Sequence, residues 1–93
     1  MAFQWPTKDP DDLLDYGVDW REFLAGDIIT SSAWALSPND GNLMVNHSSF
    51  APGIATVWLQ GGVVNQTYAV TNTITTQAGR KVDQTVNIFI QNR

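Results

Sequence analysis

From residue 67 to residue 90 the apolar side chains fall on every second position, a period that commits this part of the chain to half-buried β-strands. Tyr68, Val70 and Ile74 share one face of residues 67–75, and threonines dominate the other. After a short connection holding Ala78 and Gly79, Val82, Val86, Ile88 and Ile90 alternate with the outward Lys81, Asp83, Thr85 and Asn87. Two long antiparallel strands with one wet face are the expected result. The same period begins at Ile28, with Thr30, Ser32, Trp34 and Leu36 against Ile29, Ser31, Ala33 and Ala35. Two shorter strands are expected over residues 43–46 and 54–60. Turn clusters at 37–42 and 51–53, and Gly61-Gly62, separate these runs. Five or so strands with this spacing of turns predict an all-β fold, a small antiparallel sandwich over residues 26–93.

Upstream of Gly26 the character changes. Residues 1–27 hold seven of the nine acids, Asp9, Asp11, Asp12, Asp15, Asp19, Glu22 and Asp27, against only Lys8 and Arg21. Pro6 and Pro10 favour extended chain before them. Residues 11–16 and 19–26 each suit a helical turn; in the second, Asp19 is the expected N-cap, Glu22 completes a capping box and Gly26 stops the helix. Residues 1–25 therefore read as an acidic docking arm, extended or partly helical, beside the sandwich body. Its apolar residues Trp5, Leu13, Leu14, Tyr16, Trp20 and Phe23 are the candidate partner-binding set, with Trp20, Phe23 and Leu24 on one face as a plug against the body or a neighbour. Deleting residues 1–25 is expected to leave a folded body that no longer docks.

Ninety-three residues allow one domain. A chain this small has a thin stability margin, which favours support from a partner or from further copies of itself. There is no cysteine, so disulfides and thiolate metal sites are excluded. The opening residues lack a basic start and an apolar core, so no secretory signal is expected. No apolar run reaches the length of a membrane span. A net charge of −4 argues against nucleic-acid binding. Lys8, Arg80, Lys81 and Arg93 are too few for a phosphate-binding patch but suffice to meet acidic arms on neighbours.

Catalytic and metal constellations are weak. Asp11, Asp15, Asp19 and Glu22 fall at positions 1, 5, 9 and 12 of a calcium loop, but Leu13 stands at position 3 and Tyr16 at the required glycine. His47 has no sequence partner for zinc, and Ser48 and Ser49 lie outside any nucleophile elbow. Asn46-His47-Ser48 and Asn65-Gln66-Thr67 match the glycosylation pattern, which lacks meaning without secretion. No cofactor, metal or catalytic residue is expected. Trp34 reads as core. Trp58, opposite Val57 and Leu59, reads as exposed and opens a carbohydrate-binding alternative.

Several stretches also resemble a known family: DPDDLLDYGVDW over residues 9–20, IITSSAW over 28–34, TVWLQGG over 56–62, YAVTN over 68–72 and TQAGR over 76–80. In this order and spacing they resemble small structural proteins of tailed bacteriophages, described as fiber–tail adaptor or minor virion proteins. The resemblance covers nearly all of residues 9–90 and implies an immunoglobulin-like sandwich, no catalytic residues and a place in the virion, with synthesis in the bacterial cytoplasm. The implied partners are other virion proteins, with several copies in each particle. The expected function is an adaptor attaching fibre or tail parts. A capsid decoration protein is the alternative, to be separated by copy number.

Overall fold

The structure, a computed structural model, describes residues 2–92, so the expectation for Arg93 lies outside it. Its strands are β1 (Ala2–Gln4), β2 (Leu13–Asp19), β3 (Ile29–Ser37), β4 (Leu43–Phe50), β5 (Ile54–Gly61), β6 (Thr67–Thr76) and β7 (Lys81–Phe89), with one short helix, α1 (Arg21–Leu24). They form two sheets, β1-β7-β6-β3 and β2-β5-β4. Every pairing is antiparallel except β1 with β7. Chain neighbours β2 and β3 lie in different sheets, as do β3 and β4 and then β5 and β6, so the connections cross between layers as in immunoglobulin-like sandwiches.

The period-two apolar positions meet between the sheets. One cluster joins Tyr16, Leu43, Val57, Leu59, Tyr68, Val70, Ile88 and Ile90; a second joins Val18, Trp20, Leu24, Ile29, Ala55, Ile74 and Val86. Trp5 and Trp34 pack against both. Asn72 is a polar residue on the apolar face of β6 and is fully buried. Its Oδ1 accepts from Trp20 Nε1 at 2.9 Å, and its Nδ2 donates to Ser32 Oγ at 2.8 Å and to the Ala33 carbonyl at 3.1 Å. Burying an amide is tolerable when it is satisfied in this way. Tyr68 ties two loops together at one end of the sandwich. Its hydroxyl donates to Asp40 Oδ2 at 2.7 Å and accepts from the Val63 amide at 3.1 Å.

Residues 1–25 differ most from expectation. The helical turn expected over residues 11–16 is the start of β2, a strand paired with β5 along its whole length. Leu14, Tyr16 and Val18 face Leu59, Val57 and Ala55, so their period of two is real and the core takes them. The second turn does form, as α1, but its N-cap residue is Trp20 and has no side-chain cap. Asp19 instead accepts from the Arg21 amide at 3.0 Å, and Ala25, with φ of 48°, ends the helix before Gly26. Extended residues 2–4 run parallel to β7, and the Trp5 and Lys8 amides continue this line by donating to the Asn87 and Phe89 carbonyls. Residues 1–25 thus supply β1, β2 and α1 to the sandwich. They do not stand apart as an arm, and the boundary at residue 26 separates two stretches that share one core.

Lys8, expected to meet neighbouring acids, is wholly buried; its Nζ donates to the Asp9 and Gly61 carbonyls at 2.9 and 2.8 Å. Gly61 needs its lack of a side chain. Its φ is 78°, and a Cβ there would collide with the Asn42 carbonyl. β4 is twice as long as expected. It reaches Phe50 because β5 pairs with it throughout, around a bulge at Asn46.

Candidate docking surfaces

The register of the three-stranded sheet fixes what it shows to solvent. Residues opposite one another on antiparallel strands point to the same side. Leu13, Gln60 and Met44 therefore form one outward row, and Asp15, Trp58 and His47 the next. Gly17, Thr56 and Ser49 form a third, smoother row. Leu13 is 48% and Met44 45% exposed. Trp58 lies between Asp15 and His47, and the His47 ring stacks on it with centroids 5.1 Å apart and planes 19° from parallel. His47 Nδ1 lies 2.7 Å from Asn46 Oδ1, and Asn46 Nδ2 donates to Gln60 Oε1 at 2.6 Å. The face is flat, mixed apolar and polar, and pre-ordered by its own side chains. Because one side of Trp58 is covered by an imidazole, a sugar ring would have to displace it to stack there.

Of the six residues proposed from sequence to bind a partner, the structure brings together only subsets. Trp5 stacks on Tyr16 at 4.7 Å and tilts against Trp34 at 6.2 Å. Tyr16 and Trp20 are buried in the protein's own core, and Leu14 is half-buried against it. Leu13 stands on the outward face described above. Phe23 is exposed on α1, edge-on to Trp20 at 5.8 Å, with the Arg80 guanidinium 4.7 Å over its ring. Sequence reasoning missed Met44, Val45 and Phe50, which are exposed on β4. A run of eight residues whose apolar members Leu43, Met44, Val45 and Phe50 fit neither face alone was the available signal.

Three carboxylates are tied into the fold. Asp19 takes a forked pair from Arg21, with Nη2 at 2.7 Å and Nε at 3.0 Å, and these hydrogen bonds hold its carboxyl at about 2. Both groups are well exposed, so solvent screens most of their attraction. Asp27 gathers the Thr76 hydroxyl, the Arg80 guanidinium at 3.0 Å and the Ile28 and Ala78 amides, and these bonds lower its carboxyl to about 2. Asp40 is held below the usual carboxylate range, first by the Tyr68 hydroxyl. Tyr16 is pushed up by burial. Among the described residues no three or more His, Cys, Asp or Glu side chains cluster to hold a metal. The span from Asp11 to Glu22 is mostly strand, which sets Asp15 and Asp19 about 13 Å apart along β2 rather than around one ion.

Comparison with known proteins follows the same lines. A family model described as podophage GP4 fiber-tail adaptor protein gp77 matches residues 8–89. No curated protein matches this chain. Among solved structures, the PKD domain from KIAA 1837 protein, determined in solution, superposes with a TM-score of 0.54 at 17% identity, over 99% of this chain and 79% of that one. That likeness is one of fold.

Proposed function

This chain belongs to the podophage fiber-tail adaptor family, and from that membership we propose that it is a non-enzymatic virion subunit. It joins fibre and tail components through protein–protein contacts and is made in the bacterial cytoplasm. Several copies act in each particle. The docking site is the outer face of the sheet β2-β5-β4, where Leu13 and Met44 flank Gln60 in one row and Asp15 stands beside the stacked Trp58–His47 pair in the next. The observation that carries this reading is the exposure of Leu13 and Met44 on either side of one strand, in a fold whose other large apolar groups are mostly inside. Exposed aromatic and methionine side chains set among polar neighbours match the composition of protein interfaces.

The test replaces Leu13 and Met44 together by glutamate. Both are surface residues, so the isolated protein keeps its melting temperature. Incorporation into particles, measured by quantitative mass spectrometry, falls by about tenfold or more, as expected when hot-spot residues are lost. Normal incorporation overturns the docking site. The same measurement gives the copy number, and a shell stoichiometry would replace the adaptor by a head decoration protein.

A further inference from the structure

β3 ends one sheet and β4 ends the other, and the two edge strands lie close to each other across the sandwich. The border between them is bounded at one end by buried Leu43 beside the β3–β4 connection, and at the other by Ile29, whose amide donates to the Pro52 carbonyl at 3.0 Å. Between these ends the inward positions are left uncovered. Val45 and Phe50 lie opposite fully buried Leu59 and Ala55, so they point to the core side of their sheet. Yet they are 37% and 44% exposed. Across from them Ser32, Trp34 and Leu36 of β3 are only half-buried.

The edge of β3 is also unguarded. Natural sheets protect such borders with lysines, prolines, inward charges or bulges. Neither β3 nor β4 contains a Lys, Arg, Asp, Glu or Pro. β4 is bulged at Asn46, and β3 only at its start, which leaves Ser31 to Ser37 in unbroken register with β6. Alternate backbone groups of those seven residues face away from β6 toward solvent. An unpaired backbone edge beside an apolar slot specifies its occupant: a strand, uncharged, with apolar side chains at every second position.

We propose that this slot accepts an extended, uncharged segment of a partner virion protein, which adds as a further strand to the edge of β3. Its alternate apolar side chains cover the exposed parts of Val45, Phe50 and Trp34. Backbone hydrogen bonds give the affinity and the slot gives the register, as in other strand-addition complexes. The inference rests on the chain being a virion subunit. It does not rest on the outer face of the three-stranded sheet.

Two measurements test it. In the first, hydrogen exchange is compared between the isolated protein and purified particles. The outward-facing amides among residues 31–37 exchange about tenfold slower or more in the particle, since new ladder bonds must open first. Equal exchange in both states overturns the proposal. Protection already present in the isolated protein and growing with its concentration also overturns it, because the occupant is then a second copy of this chain. In the second, Val45→Lys with Phe50→Lys puts charge into the slot at positions already exposed. The variant's melting temperature is measured first, and at temperatures where it is still folded it is lost from particles, whereas normal incorporation overturns the proposal. Loss with the Leu13/Met44 pair but not with the Val45/Phe50 pair leaves the outer-face reading standing and sinks this one, and the reverse result does the opposite.

Discussion

Asn72 is where one residue decides most. It sits on the face of β6 shared by Tyr68, Val70 and Ile74, and its amide satisfies Trp20, Ser32 and Ala33 together. Replacing it by alanine leaves the Trp20 indole N–H buried and unpaired and opens a void. The expected cost is about 3 kcal/mol, from the desolvation of an orphaned donor plus lost packing. In a domain of this size that lowers the melting temperature by roughly 15 °C, read by calorimetry. Nothing in the alternation pattern foretold this role. Periodicity says which face a residue occupies and is silent on which hydrogen bonds await it there. Trp34 was legible as interior for the opposite reason, since its pattern needed only a side, and it packs against both clusters. Tyr16 was legible as an anchor but not as an anchor of the protein's own core, whereas for Trp20 the body was one of the two expected seats.

At the level of elements, β3 and β5 to β7 emerged from the sequence because their apolar positions repeat every second residue between clear turns. β2 was hidden. Leu14, Tyr16 and Val18 carry the same period, but the acids and Pro10 around them also suit a helix start, and local propensity cannot say that β5 will offer a free edge. The connection after α1 shows how two distant elements are locked. Asp27 binds the Arg80 guanidinium and the Ala78 amide of the β6–β7 turn, and Arg80 also reaches the Leu24 carbonyl at 3.2 Å and lies over Phe23. The Asp27 carboxyl is lowered in the folded state, from an ordinary value near 4 to about 2. A lowered carboxylate contributes stability that is full above the ordinary value and is lost as pH falls through the folded one. Thermal stability is therefore expected to fall between about pH 4 and pH 2. The Asp27→Asn variant, melted over the same range, should show a shallower decline. An unchanged slope would mean that Asp19 or Asp40 sets the acid limit.

For the molecule as a whole, the sandwich cannot be divided at residue 26. Residues 1–25 contribute β1, β2, buried Tyr16, Val18, Trp20 and Leu24, and the buried Lys8 that tethers to the Gly61 carbonyl. Removing them leaves a two-stranded second sheet over an uncovered core, and small isolated ribbons of that kind are marginal in water. The deletion is expected to abolish cooperative unfolding, checked by circular dichroism, and not to yield a folded body lacking only its contacts. The charge asymmetry that suggested an arm has another consequence. Trp20 waits for a partner 52 residues further on, and β2 waits for β5. As the polypeptide emerges from the ribosome, its first third has nothing to close upon until synthesis is nearly finished. Throughout that interval seven carboxylates surround its greasy groups, and mutual repulsion keeps sibling nascent chains from coalescing before each has made its own lid.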